Sequence, residues 1–169
     1  MTTSVSFHPA VVANIPQLSG SDIDIAALFG QAHDHGAGAV VLFSGEVREG
    51  FSGKEVAYLD YEAHESMASK MILEIMDAAA RRWDLKKIVA QHRTGKVQLG
   101  ACAVVVITSS KHRKEAYAAN RYVIDRIKHE VPIWKCEYFE DGSREWGGNC
   151  SCQKITGDAN KHVYEFGEE

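Results

Sequence analysis

The sequence predicts an α+β fold: helices packed on a mostly antiparallel or mixed sheet, in a single domain. Three observations carry that reading. Two runs, GAVVLFSGEVR and ACAVVVITS, are short, β-branched and bounded by turn formers, as strands are. Two long segments place apolar residues at helical spacing. The elements follow one another as helix, strand, strand, helix, strand, strand, helix, strand, an order that does not alternate as a parallel α/β sheet would.

The first helix lies in SDIDIAALFGQAHDHG, with Ser21 or Asp22 as N-cap, a stripe of Ile25, Leu28 and Phe29, and Gly36 as the stop. The strand GAVVLFSGEVR follows and breaks at the loop EGFSGKE; VAYLDYEAH then alternates as a second strand. ESMASKMILEIMDAAARRW is an amphipathic helix whose Met67, Met71, Ile72, Ile75, Met76 and Ala79 face the core. KKIVAQHRTG gives the third strand. ACAVVVITS, an unbroken apolar run that includes Cys102, gives a fourth that is central and covered on both faces. KHRKEAYAANRYVIDRIKHE is the last helix, starting at Ser109 or Ser110 and stopping before Pro132; PIWKCEYFE is the last strand. From Asp141 onward, DGSREWGGNCSCQKITGDAN is rich in turn formers and reads as loop. The chain thus divides into a domain at 1–140 and a C-terminal tail at 141–169.

With 169 residues, 45 % apolar and 25 % charged, the chain can bury a core of its own. A net charge of −4 argues against a general nucleic-acid binder, so any anion site is a local basic cluster on an acidic body. No stretch approaches the roughly 20 apolar residues of a membrane span. The N-terminal segment has neither a basic region nor a long apolar one, so no secretory signal is expected. Four cysteines, unevenly placed, make no disulfide framework, and a cytoplasmic location fits them. Cys150 and Cys152 form a single C-x-C pair with His162 downstream; zinc needs further spaced ligands, so no metal is expected.

Chemistry concentrates in two places. In SSKHRKE, Lys111, His112, Arg113 and Lys114 crowd a helix start, where the backbone already carries partial positive charge. Such a cluster either holds an anion, a phosphate above all, or is a solvated basic turn. The second place is IKHEVPIWKCE. Lys128 sits in a helix's last turn, where the dipole favours a cation. Strand alternation puts Ile133, Lys135 and Glu137 on one face and Trp134, Cys136 and Tyr138 on the other. A lysine in that apolar setting is either a desolvated acid/base or half of an ion pair with a carboxylate such as Glu137. Arg48 ends a strand beside Gly45 and Gly50, which let backbone approach a ligand closely.

Taken in order, FSGEVR, YEAHESMA, HRTGKVQLG, SSKHRKEAY and DRIKHEVPIWKCE resemble the large, catalytic subunit family of molybdopterin synthase. The resemblance spans roughly residues 36 to 140. It implies a sulfurtransferase that converts cyclic pyranopterin monophosphate into molybdopterin by building a dithiolene. The sulfur would arrive as a thiocarboxylate on the C-terminal Gly-Gly of a small ubiquitin-like carrier subunit. The family forms a dimer of large subunits within a heterotetramer, and no cofactor is implied. Arg48, His112 and Arg113 match the family's substrate-anchoring positions. Lys128 and Lys135 match its two active-site lysines, Lys128 as acid/base and Lys135 orienting substrate and stabilising negative charge. Glu46, Val47, Cys136 and Glu137 are expected to complete the pocket. The family's tail commonly sends a basic residue into the neighbouring subunit's pocket, and Arg144 and Lys154 are the candidates here. The competing readings are an inactive scaffold of the same fold and, last, an unrelated phosphate-ester enzyme.

Overall fold

The computed structural model describes residues 6–50 and 53–147. The elements run β1 (Leu18–Ser19), α1 (Ile25–Gln31), β2 (Ala39–Glu46), β3 (Val56–Ala63), α2 (Glu65–Trp83), β4 (Lys87–Arg93), β5 (Gly95–Gln98), β6 (Cys102–Ser110), α3 (Arg113–Glu130), β7 (Ile133–Phe139) and β8 (Arg144–Gly147). They make two four-stranded sheets, ordered β1-β4-β6-β2 and β5-β3-β7-β8. Every pairing between these strands is antiparallel except β1 with β4. The α+β expectation is met, with its sheet divided in two.

β6 is central in the first sheet and buried on both faces, as its unbroken apolar run requires. Val104 and Val106 face a core shared with Ile72 and Met76 of α2 and Val123 and Ile127 of α3. Val105 and Ile107 face the other way, toward Leu28 and Ala32. The second sheet has a smaller core of its own, with Val56, Leu59, Val97 and Phe139. Asn120, buried in α3, ties the helix to the first sheet. Its Nδ2 donates to the carbonyls of Val41 (3.0 Å) and Val106 (2.9 Å). Unpaired, that amide would be a serious burden in a core.

Several sequence expectations need correction. α1 is capped by Asp24, whose side chain accepts from Ala27 N–H, and it ends at Gln31. Asp22 is engaged instead with the Arg93 guanidinium. α3 is capped by His112, because Ser109 and Ser110 remain inside β6. Met67 is half exposed, since Ala68, Ile72, Ile75 and Met76 set the buried stripe and Met67 lies about 100° round from Ala68. The loop reading from Asp141 fails at Arg144–Gly147. Gly142, at φ +81°, turns the chain back, and the following residues pair with β7. β1 and β5 were not expected at all. Residues 148–169, with Cys150, Cys152, Lys154 and His162, lie outside the described residues.

Candidate active site

Two local breaks in regular structure build the site. The first is in β2. Its register against β6 shifts between Gly45 and Glu46, a bulge that turns the strand end away from the sheet. Gly45 is required there: a Cβ would stand 2.7 Å from Val104 Cγ1. Val47 is then pinned by exchange of hydrogen bonds with the 100–101 turn, Val47 N–H to Ala101 O at 3.1 Å and Gly100 N–H to Val47 O at 2.7 Å. That leaves Glu46 and Arg48 exposed on either side of a buried Val47.

The second break joins α3 to β7. Val131 caps α3 in extended conformation, and Pro132 forbids another helical turn. The Pro132 carbonyl accepts from His64 N–H at 3.1 Å, anchoring the corner. Within this tight reversal Lys128, at the helix end, and Lys135, in the strand, come to the same cavity.

That cavity is about 430 Å³ and lies where the two sheets meet. Its volume falls within the ~300–1,000 Å³ usual for small-molecule sites. β2 contributes Glu46, the segment that follows its bulge contributes Val47 and Arg48, α3 contributes Lys128, and β7 contributes Ile133, Lys135 and Glu137. β3 and β4 add two residues the sequence did not point to, Tyr61 and His92. Both occur inside the quoted segments YEAHESMA and HRTGKVQLG, but nothing local marks either side chain as facing a cavity.

Lys135 Nζ lies 3.0 Å from Glu137 Oε1, so the lysine is both partly desolvated and paired. Of the two sequence alternatives for Lys135, the ion pair with Glu137 is the one the structure shows. Glu137 is almost wholly buried, so its charge acts through low-dielectric surroundings. His92 is buried against the edge of the Tyr61 ring, 5.0 Å between centroids. Its Nδ1 lies 2.7 Å from the Arg93 carbonyl. Burial pushes the His92 imidazole down to about 4, with the positive charge of Lys128 adding to the effect and the Arg93 carbonyl opposing it. The ring is neutral at pH 7, so Nδ1 carries the proton that it donates to the carbonyl, and Nε2 is left as an acceptor. Burial, then the Glu137 carboxylate, pushes the Tyr61 hydroxyl up to about 12, so it stays protonated.

Within one chain the structure brings together Glu46, Val47, Arg48, Lys128, Lys135 and Glu137. It does not bring His112, Arg113 or Cys136 to this cavity. Cys136 is buried on the opposite face of β7, as alternation dictates. His112 and Arg113 are exposed at the start of α3, and Arg113 is about 22 Å along the helix axis from Lys128. Only Arg113, Lys114 and Glu115 occupy that first turn; Lys111 precedes it. Arg144 is exposed on β8 and donates from Nη1 to the Tyr138 hydroxyl at 3.3 Å. Among the described residues no group of three or more His, Cys, Asp or Glu is placed to hold a metal ion. Among them also, no helix is long and apolar enough to cross a membrane.

Two sheets closing on a cleft with cationic walls, a buried carboxylate and a neutral imidazole define a small-molecule enzyme domain. The family model described as MoaE protein matches residues 18–130, and the chain belongs to that family. It is 47 % identical over 112 residues to a molybdopterin synthase catalytic subunit from Staphylococcus aureus, covering 66 % of this chain and 75 % of the relative. A protein of the same name from a Nostoc species is 41 % identical over 124 residues, covering 73 % and 75 %. Among solved structures, molybdopterin synthase from Staphylococcus aureus superposes with a TM-score of 0.75 at 39 % identity, covering 79 % of this chain and 96 % of that one.

Proposed function

We propose that this chain is the catalytic subunit of a molybdopterin synthase. It converts cyclic pyranopterin monophosphate to molybdopterin, with sulfur delivered by the thiocarboxylated C-terminus of a small ubiquitin-like carrier. The observation that carries the reading is the convergence of Arg48, Lys128, Lys135 and Glu137 on one cavity, in a chain whose relatives bear that name. Those names favour an enzyme over a scaffold of the same fold.

Each group has a task that its surroundings suit. Arg48, exposed at the cavity edge, meets the anionic phosphate with a bidentate fork. Lys128 exchanges protons at the carbons where oxygen leaves and sulfur enters. Lys135, held against Glu137, orients the substrate and offsets developing negative charge in a site partly closed to water. Glu46 and Val47 form the wall beside Arg48. Neutral His92 and protonated Tyr61 offer uncharged hydrogen-bonding groups for a polar pterin.

His112 and Arg113 fit this reading only from outside. They stand at the far end of α3 from their own chain's Lys128, so as substrate anchors they serve the cavity of a second copy. The site is then shared across a homodimer, with one carrier subunit engaging each cavity. The deciding experiment supplies purified protein with the pterin substrate and a thiocarboxylated carrier and follows molybdopterin formation. Lys128→Ala is expected to remain folded and dimeric while losing turnover. Turnover at the wild-type rate by that variant would remove Lys128 from the chemistry.

A further inference from the structure

β8 lies beside the cavity and ends at Gly147, directly opposite Lys135 in the antiparallel register. Gly147 is not among the residues with positive φ, so its backbone does not call for glycine. Space does. A Cβ at position 147 would stand 2.7 Å from Lys135 Cε, 3.3 Å from Lys135 Cγ and 3.5 Å from Glu137 Oε1. The stem of Lys135 therefore lies across the bare Cα of Gly147 on its way to Glu137, 3.0 Å from its ammonium.

We infer that Gly147 is a positioning residue: it leaves the gap through which Lys135 reaches Glu137 and the cavity. The atoms that a methyl group would strike belong to a flexible lysine rather than to backbone. The lysine therefore yields, and the sheet does not. Substitution at 147 should disturb the ammonium while leaving the fold intact, the reverse of what a glycine needed for backbone conformation would do. The effect on turnover rests on the proposed role of Lys135; the effect on its position does not.

The test uses the full chain with its carrier and substrate. Gly147→Ala is expected to lower kcat about tenfold to a hundredfold, the loss usual for small misplacements of a reacting group. The melting temperature should stay at the wild-type value. In a Lys135→Ala background the same substitution should change nothing further, because its target is gone. Glu145→Ala, on the same strand and paired with Lys54 outside the cavity, controls for general disturbance of β8. NMR of the Lys135 ammonium reports position independently of activity and should show a displaced signal in Gly147→Ala. Where Lys135→Ala does lose turnover, wild-type kcat in Gly147→Ala, an equal loss in both backgrounds, or the same loss in Glu145→Ala would each overturn the inference. If Lys135→Ala itself turns over normally, the proposed role of Lys135 fails and the ammonium signal decides alone: displaced supports the positioning role, unmoved refutes it.

Discussion

The two ends of α3 carry similar charges and differ in everything around them. At the N-terminus Lys111, His112, Arg113 and Lys114 are exposed around a cap that makes no side-chain hydrogen bond. At the C-terminus Lys128 faces a cavity walled by Lys135, Glu137, Tyr61 and His92. In the sequence, clustered cations at a helix start are the stronger sign of an anion site, and a lysine at a helix end the weaker. The cavity reverses that order. A pocket needs walls from several elements, and at the C-terminal end of α3 both sheets supply them.

Breaking the C-terminal side should have the largest effect. Lys128→Ala is expected to lower single-turnover molybdopterin formation about 10³-fold, at the level of a lost acid/base group, with folding unchanged. Next comes the buried imidazole. His92 is neutral when folded and takes up a proton when unfolded, so the unfolded chain binds more protons between about pH 4 and 6.5. Stability therefore falls as pH drops through that window, by up to about 3 kcal/mol from this group. Urea unfolding of wild type and His92→Gln at pH 7, 5.5 and 4 measures it; equal slopes in both proteins would rule it out. Lys135→Ala should lower kcat by about 10²-fold, as removal of one preorganised charge does.

The N-terminal side should respond more weakly and in a different parameter. Arg113→Ala is expected to raise KM about tenfold to a hundredfold, the loss of one charge-assisted contact of roughly 1.5–3 kcal/mol from an otherwise intact site. Mixing sharpens the comparison. At substrate well below KM, co-assembled Lys128→Ala and Arg113→Ala chains should approach half the wild-type kcat/KM, above either variant alone, because one of the two shared sites is then intact. No recovery in verified mixed dimers would return each end of α3 to its own chain.

Much of this architecture was legible from residue pattern. α2 runs Glu65–Trp83, the segment its apolar spacing outlined, and β6 is central because its run of apolar residues leaves no polar face. Short strands were not legible. β1 has two residues, too few for alternation to register, and β5 begins at Gly95, whose φ of +76° restarts the strand after what read as a stop. β8 was hidden by its polar composition, although Asp141-Gly142 is the dipeptide a tight hairpin favours. In the site, strand alternation placed Lys135 and Glu137 on one face of β7, whereas Lys128 at its helix end stood out only through the family resemblance. Tyr61 and His92 come from separate strands, and only the packing of one sheet against the other places them together.

The buried Asn120 amide has a consequence for how this chain can vary in length. By gripping carbonyls of β2 and β6, it sets the rotational phase of α3 eight residues before Lys128. Each helical residue advances the phase by about 100°. One residue gained or lost between them would swing the ammonium roughly a quarter-turn around the helix, even with every other contact of Asn120 preserved. Insertions and deletions in that interval should therefore be far less tolerated than substitutions of its solvent-facing side chains.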